Sequence, residues 1–169
     1  MGPHRTQKAL ILALCLVASP ATAQEAGWHY SPLPGEGDRA TLGCDRDATP
    51  DEFACLAVRC EDDFTTGVYV HTSRPLVLGE WEMTLDRENA KLLAEASEAP
   101  YRGRFISDAD WLLDRIAQGA FIYMRHADDR TGSFAYIDLS GSLRAIKGAL
   151  AFCAPRQPAP NEPNEDAGV

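Results

Sequence analysis

Along the middle of this chain apolar and polar residues alternate with a period of two, which predicts strands. From Phe53 to Cys60, Leu56, Val58 and Cys60 fall on one face, and Phe53, Cys55 and Ala57 on the other. Glu61-Asp62-Asp63 makes a polar turn. Thr66 to Thr72 predicts a second strand, with Val68 and Val70 opposite Tyr69 and His71. Leu76 to Leu85 predicts a third, in which Val77, Trp81, Met83 and Leu85 alternate and Gly79 marks a candidate bulge. Tyr101 to Ile106 is a short strand. Ala120 to His126 and Phe134 to Leu139 form a hairpin across the charged turn Ala127 to Gly132. Near the start, Trp28 and Tyr30 alternate with Gly27 and His29, the pattern of a short edge strand.

The period changes to that of a helix in two places. Ser107 to Gln118 carries an apolar stripe of Trp111, Leu112, Leu113 and Ile116. Ser107-Asp108-Ala109-Asp110 resembles a capping box, and Gly119 suits the position after the last turn. A second helix is predicted to start at Ser140 or Ser142 as its cap and to run to about Phe152. Leu143, Ile146, Leu150 and Cys153 share its face. Ala90 to Ala96 is helical on propensity, though a strand is equally open. The expected fold is α+β: a twisted antiparallel β-sheet or sandwich with two packed helices and two disulfides.

The disulfides follow from the chain's first residues. His4, Arg5 and Lys8 precede an apolar run from Ala9 to Ala18, and Ala21-Thr22-Ala23 is a small-x-small cleavage site. This is a secretory signal peptide over residues 1–23, too short to span a bilayer, which takes about 20 apolar residues. Cys15 leaves with it. The residue before Cys15 is Leu14, where a lipoprotein box needs a small one, so no lipid anchor is expected. The expected location is periplasmic or secreted, with no stable membrane insertion, in a compartment that oxidises thiols. Residues 24–43 read as an N-terminal loop and edge segment, and 44–153 as the disulfide-bonded domain. Residues 154–169, with Pro155, Pro158, Pro160 and Pro163, read as a disordered tail.

Four cysteines remain, Cys44, Cys55, Cys60 and Cys153, whose spacing matches no common zinc pattern. Cys55 and Cys60 point to opposite faces of one strand, so they cannot bond each other. Cys60 shares its face with Leu56 and Val58, and Cys153 shares its own with Leu143, Ile146 and Leu150. Two apolar faces that each carry a cysteine should meet. The predicted bridges are therefore Cys60–Cys153 and Cys44–Cys55.

Losing the leader removes Arg5 and Lys8, so 14 basic residues face 25 acidic ones, a formal charge of −11. That disfavours nucleic acid and anionic membranes, and suits solubility or a basic protein partner. Asp45, Asp47, Asp51, Asp62 and Asp63 are the candidate acidic binding surface for such a partner. They lack the spaced ligands and glycine turn of a calcium loop. His71 and His126, with Asp128 and Asp129 nearby, are the candidates for a metal site or general-base pair, against a plain surface role. Ser140-Gly141-Ser142 is no nucleophile elbow, because Asp138 stands where that motif needs its first glycine. No phosphate loop is present, and no cofactor or metal is expected.

The pair Cys44 and Cys55, a strand ending in Arg59-Cys60, antiparallel strands with a helix, the run from Phe134 through Asp138-Leu139-Ser140-Gly141 to Ser142, and a helix ending in Cys153 carry a resemblance. In layout the chain resembles periplasmic accessory proteins of type VI secretion of the TagO/VasI kind, and invasion-associated locus B proteins. The resemblance covers roughly residues 44–153. It implies a β-rich sandwich without known catalysis. The expected function is thus an exported, non-enzymatic accessory or binding domain. The alternatives are an acidic inhibitor of a cationic enzyme such as lysozyme, and a small periplasmic hydrolase using His71 or His126.

Overall fold

The computed structural model describes residues 26–30, 40–97, 101–151 and 153. The predicted leader, the predicted tail and Phe152 lie outside the described residues. Nine strands form one antiparallel sheet: β1 Gly27–Tyr30, β2 Ala40–Cys44, β3 Ala54–Cys60, β4 Thr66–Thr72, β5 Gly79–Leu85, β6 Glu88–Ala96, β7 Gly103–Phe105, β8 Phe121–His126 and β9 Ala135–Asp138. Their order across the sheet is β1-β2-β3-β4-β7-β6-β5-β8-β9. Two helices, α1 Ala109–Gln118 and α2 Ser142–Ala149, pack on each other. α2 also packs on β1, β2 and β3.

The sheet curls until its far edge returns to its beginning. β9 lies against β2 and β3, and the loop after β2 fastens it there. The Arg46 N–H donates to the Tyr136 carbonyl (2.8 Å), and the Tyr136 N–H donates to Asp45 Oδ1 (3.1 Å). The concave side holds the main core: Leu56 and Val58, Val68 and Val70, Trp81 and Met83, Ile122 and Met124, and Ile137, closed by Leu112, Ile116 and Ile146 from the helices. A second cluster sits on the opposite face of β2–β4, built from Leu42, Cys44, Cys55, Ala57 and Tyr69 with Tyr101.

Both predicted bridges form. Cys44 and Cys55 are direct partners in the β2–β3 register, with Cα atoms 4.0 Å apart. Cys60 joins Cys153 with a Cα separation of 5.5 Å. The parity argument holds because Leu56 and Val58 do face the concave side, on which α2 packs. Trp28 on the edge strand lies over Gly43 of β2, its register partner. A Cβ on Gly43 would collide with the indole, so the glycine makes room for the ring.

Several local expectations are corrected, and one open choice is decided. The loop and edge segment read over residues 24–43 ends in a full strand, β2 Ala40–Cys44, buried throughout. Ala90 to Ala96 is not a helix but part of β6. Its composition favours a helix, yet Leu92 and Ala94 face the core while Lys91, Leu93 and Glu95 face out, and β5 and β7 supply ladder bonds on both sides. Tertiary pairing outweighs a propensity difference of a few tenths of a kcal/mol per residue. The capping box does not form: Asp108 is the N-cap in a left-handed conformation (φ 50°) with no side-chain cap, and Ser107 Oγ accepts instead from the Leu93 N–H (3.1 Å). In α2 the N-cap is Gly141 (φ 83°), not a serine, and Ser142 Oγ donates to the Ile116 carbonyl of α1 (2.7 Å). The buried side of α2 is Ser142, Ile146 and Ala149, leaving Leu143 46% exposed. Small residues face inward because the two helices approach closely there. Ser140 lies before the helix, which is observed from Ser142 to Ala149; the predicted end at Phe152 falls outside the described residues.

Candidate binding surface

Because side chains alternate along each strand, the convex face of β6-β5-β8-β9 is written by one parity of each strand. Two rows result. In the first, Asn89, Thr84, Tyr123 and Tyr136 are successive cross-strand partners. In the second, Lys91, Glu82 and Arg125 are partners, and Phe134 stands just before β9. With strands about 4.8 Å apart, each row extends roughly 14 Å from β6 to β9.

The β8–β9 end is aromatic. Tyr123 packs on Tyr136 (centroids 4.9 Å) and against Phe121 (5.4 Å), and Phe121 stacks on Tyr136 (5.9 Å). Phe134 meets the edge of Tyr123 at 6.4 Å. Two guanidinium groups brace the rings: Arg46 lies over Tyr136 and Arg125 over Phe134, each 4.9 Å from the centroid. The rings remain open to solvent, Tyr123 at 40% and Phe134 at 51%. Cross-strand aromatic pairing explains Tyr123 and Tyr136 as sheet stabilisers. It does not account for Phe134, which is outside the strand and still half exposed.

The β5–β6 end is polar. Arg125 donates from Nε (2.7 Å) and Nη2 (2.6 Å) to Glu82 Oε2. Lys91 donates to Glu80 (2.7 Å), which holds its ammonium pKa above the usual lysine value. The Thr84 hydroxyl donates to Asn89 Oδ1 (2.7 Å). An open groove of about 640 Å³ runs between Glu82, Thr84, Asn89, Lys91, Arg125 and Phe134. Sequence reading missed this surface. Its one local signal was the shared parity of Phe121 and Tyr123 in a strand whose other parity, Ile122 and Met124, is aliphatic.

The candidate histidines do not come together. His71 points to the convex side of β4 with Tyr69, and His126 to the concave side of β8 with Met124. His71 sits between Phe53 (4.8 Å) and Tyr101 (6.0 Å); its Nδ1 is buried without a hydrogen-bond partner, and burial pushes its pKa down to about 4. His126 Nε2 donates to the Leu78 carbonyl (2.7 Å), while Nδ1 accepts from the Asp128 N–H (3.1 Å). Both ring nitrogens are thus engaged by backbone. Gly79 (φ 113°) permits this, since its missing Cβ would lie 3.1 Å from Nε2. His126 and Asp129 do line one small cavity of about 150 Å³, with Trp81 and Arg74. Bonds from Thr131 occupy the Asp129 carboxylate and hold its pKa low. Among the described residues no group of three or more His, Cys, Asp or Glu side chains is arranged to hold a metal ion.

The acidic residues divide between the two ends of β3, roughly 20 Å apart. Asp47 and Asp51 are exposed at one end, Asp62 and Asp63 at the other. Asp63 is tied to Thr65, whose bonds lower its pKa. Asp45 is buried: besides Tyr136 it meets Arg74 Nη2 at 3.7 Å. Its charge serves the closure of the sheet.

No family model matches the chain, and no curated protein or solved structure proved similar to it. Among the described residues no helix is long and apolar enough to cross a membrane.

Proposed function

We propose that this protein is an exported, non-enzymatic binding or accessory domain that engages its ligand on the convex face of β6-β5-β8-β9. The observation that carries this reading is the exposed aromatic cluster around Tyr123 and Phe134 beside the polar groove of Glu82, Thr84, Asn89 and Lys91. Binding sites combine apolar rings that gain by leaving water with a few polar groups that orient the ligand. The two disulfides suit an oxidising compartment. Two observations weigh against the hydrolase alternative. His126 has no free ring nitrogen, and His71 is packed between Phe53 and Tyr101 with no hydrogen-bond partner on Nδ1 to orient it. A general base needs a nitrogen within reach of the proton it removes and a group that orients it.

The test immobilises the mature protein and passes a cell-envelope extract over it, beside the double variant Tyr123→Ser/Phe134→Ala. Wild type should retain an envelope component that the variant releases, with the variant's thermal unfolding still cooperative. Equal retention by both proteins would overturn the reading.

A further inference from the structure

We infer that the ligand of this face is an uncharged saccharide chain, lying along the rows from the aromatic end to the polar groove. The inference rests on the binding reading above and names its ligand class.

Charge removes most competitors. Every cation on the face already has an acidic partner: Arg125 pairs with Glu82, Lys91 with Glu80 and Glu82, and Arg46 with Asp47 (3.8 Å). The face therefore offers no unbalanced positive potential to a polyanion, and the chain as a whole repels one. Nor does the groove present a free carboxylate to a basic protein, since its one acidic lining residue, Glu82, is bonded from both sides.

What remains is surface that is apolar on one side and rich in paired donors and acceptors on the other. A pyranose has the matching chemistry. One face of its ring is a sheet of C–H groups, which are electropositive against the negative π-face of an aromatic ring. Its rim carries hydroxyls that donate and accept together. Phe134 and Tyr123 supply half-open rings, each with only two side-chain torsions to order on binding. The Arg125–Glu82 and Thr84–Asn89 pairs each present a donor beside an acceptor in fixed geometry. The roughly 14 Å length of the rows fits a short oligosaccharide rather than a single sugar.

The experiment titrates the mature protein with chitohexaose and with cellohexaose, following intrinsic Tyr fluorescence and amide NMR shifts, with heparin and a proline-rich peptide as further arms. Saturable binding of either neutral hexasaccharide is expected, with shifts confined to β5, β6, β8 and β9. Affinity should be insensitive to salt. Phe134→Ala should weaken it about tenfold, the equivalent of one lost stacking contact. Arg125→Gln should weaken it with the fold intact. Binding of heparin or the peptide in place of both sugars overturns the inference. So does sugar binding that Phe134→Ala leaves unchanged. If neither sugar binds while envelope retention still depends on Tyr123 and Phe134, the saccharide assignment fails and the binding reading stands. If retention is also indifferent to them, both fail.

Discussion

The two flanks of the sheet use the same antiparallel pairing to different ends. On β3 every residue from Ala54 to Cys60 except Arg59 is buried, so both faces of this flank are covered. It also carries both disulfides. On β8 the burial alternates: Ile122, Met124 and His126 are buried, while Tyr123 is exposed. One flank has no face to spare and is covalently stapled. The other puts one face on the core and leaves the second exposed. A scaffold and the proposed binding surface thus come from one motif, separated by which faces are covered.

The largest test of this contrast is to cut the staple. Cys60→Ser opens a loop of 93 residues and should cost about 4–5 kcal/mol on chain-entropy grounds. Cys55→Ser opens one of 11 and should cost about 3 kcal/mol. Urea unfolding measures both. Hydrogen exchange should show α2 losing protection first in Cys60→Ser. A smaller cost for Cys60→Ser than for Cys55→Ser would mean that α2 holds its place without the bridge.

The junction between the flanks comes next. Asp45→Ala leaves the part-buried Tyr136 N–H without its acceptor and Arg74 without its carboxylate, and should cost about 1–3 kcal/mol. Asp47→Ala, at an exposed site, should be nearly silent. Equal effects in urea unfolding would show that Asp45 is an ordinary surface acid.

The covered flank should also be acid-sensitive. Burial depresses the His71 pKa from 6.5 to about 4, so the folded state binds this proton more weakly than the unfolded chain. The stability held by the neutral ring is complete above pH 6.5 and drains away as pH falls toward 4. With partial exposure allowed for, the loss should not exceed about 2 kcal/mol. His71→Phe keeps an aromatic ring between Phe53 and Tyr101 and should flatten stability across that window. An unchanged slope would assign the acid sensitivity elsewhere.

The smallest effect belongs to the open flank. Phe134→Ala should change stability by less than about 0.5 kcal/mol, because the ring is half exposed and outside the ladder. A loss of several kcal/mol would make the aromatic cluster a structural edge, and the comparison between flanks would collapse.

Both bridges and the strands other than β2 and β6 were legible in the chain because they depend on local parity. Leu56, Val58 and Cys60 share a face whatever the rest of the molecule does, since adjacent side chains of a strand must point oppositely. That rule, with the helical period of the two segments at 107–118 and 142–153 and the expected leader, pointed to the α+β class and both disulfide pairings. What parity could not say was which faces would be covered. Leu92 and Ala94 became strand residues because β5 and β7 were there to pair with. Asp45 became a clamp because the curl of the sheet brought β9 to it. His71 and His126 parted because their strands face opposite sides. Phe121, Tyr123 and Tyr136 stand along the chain only as aromatics within two predicted strands. They form a surface because among the described residues no layer packs on their side. Burial is a property of what lies opposite a side chain, and only the tertiary structure decides that.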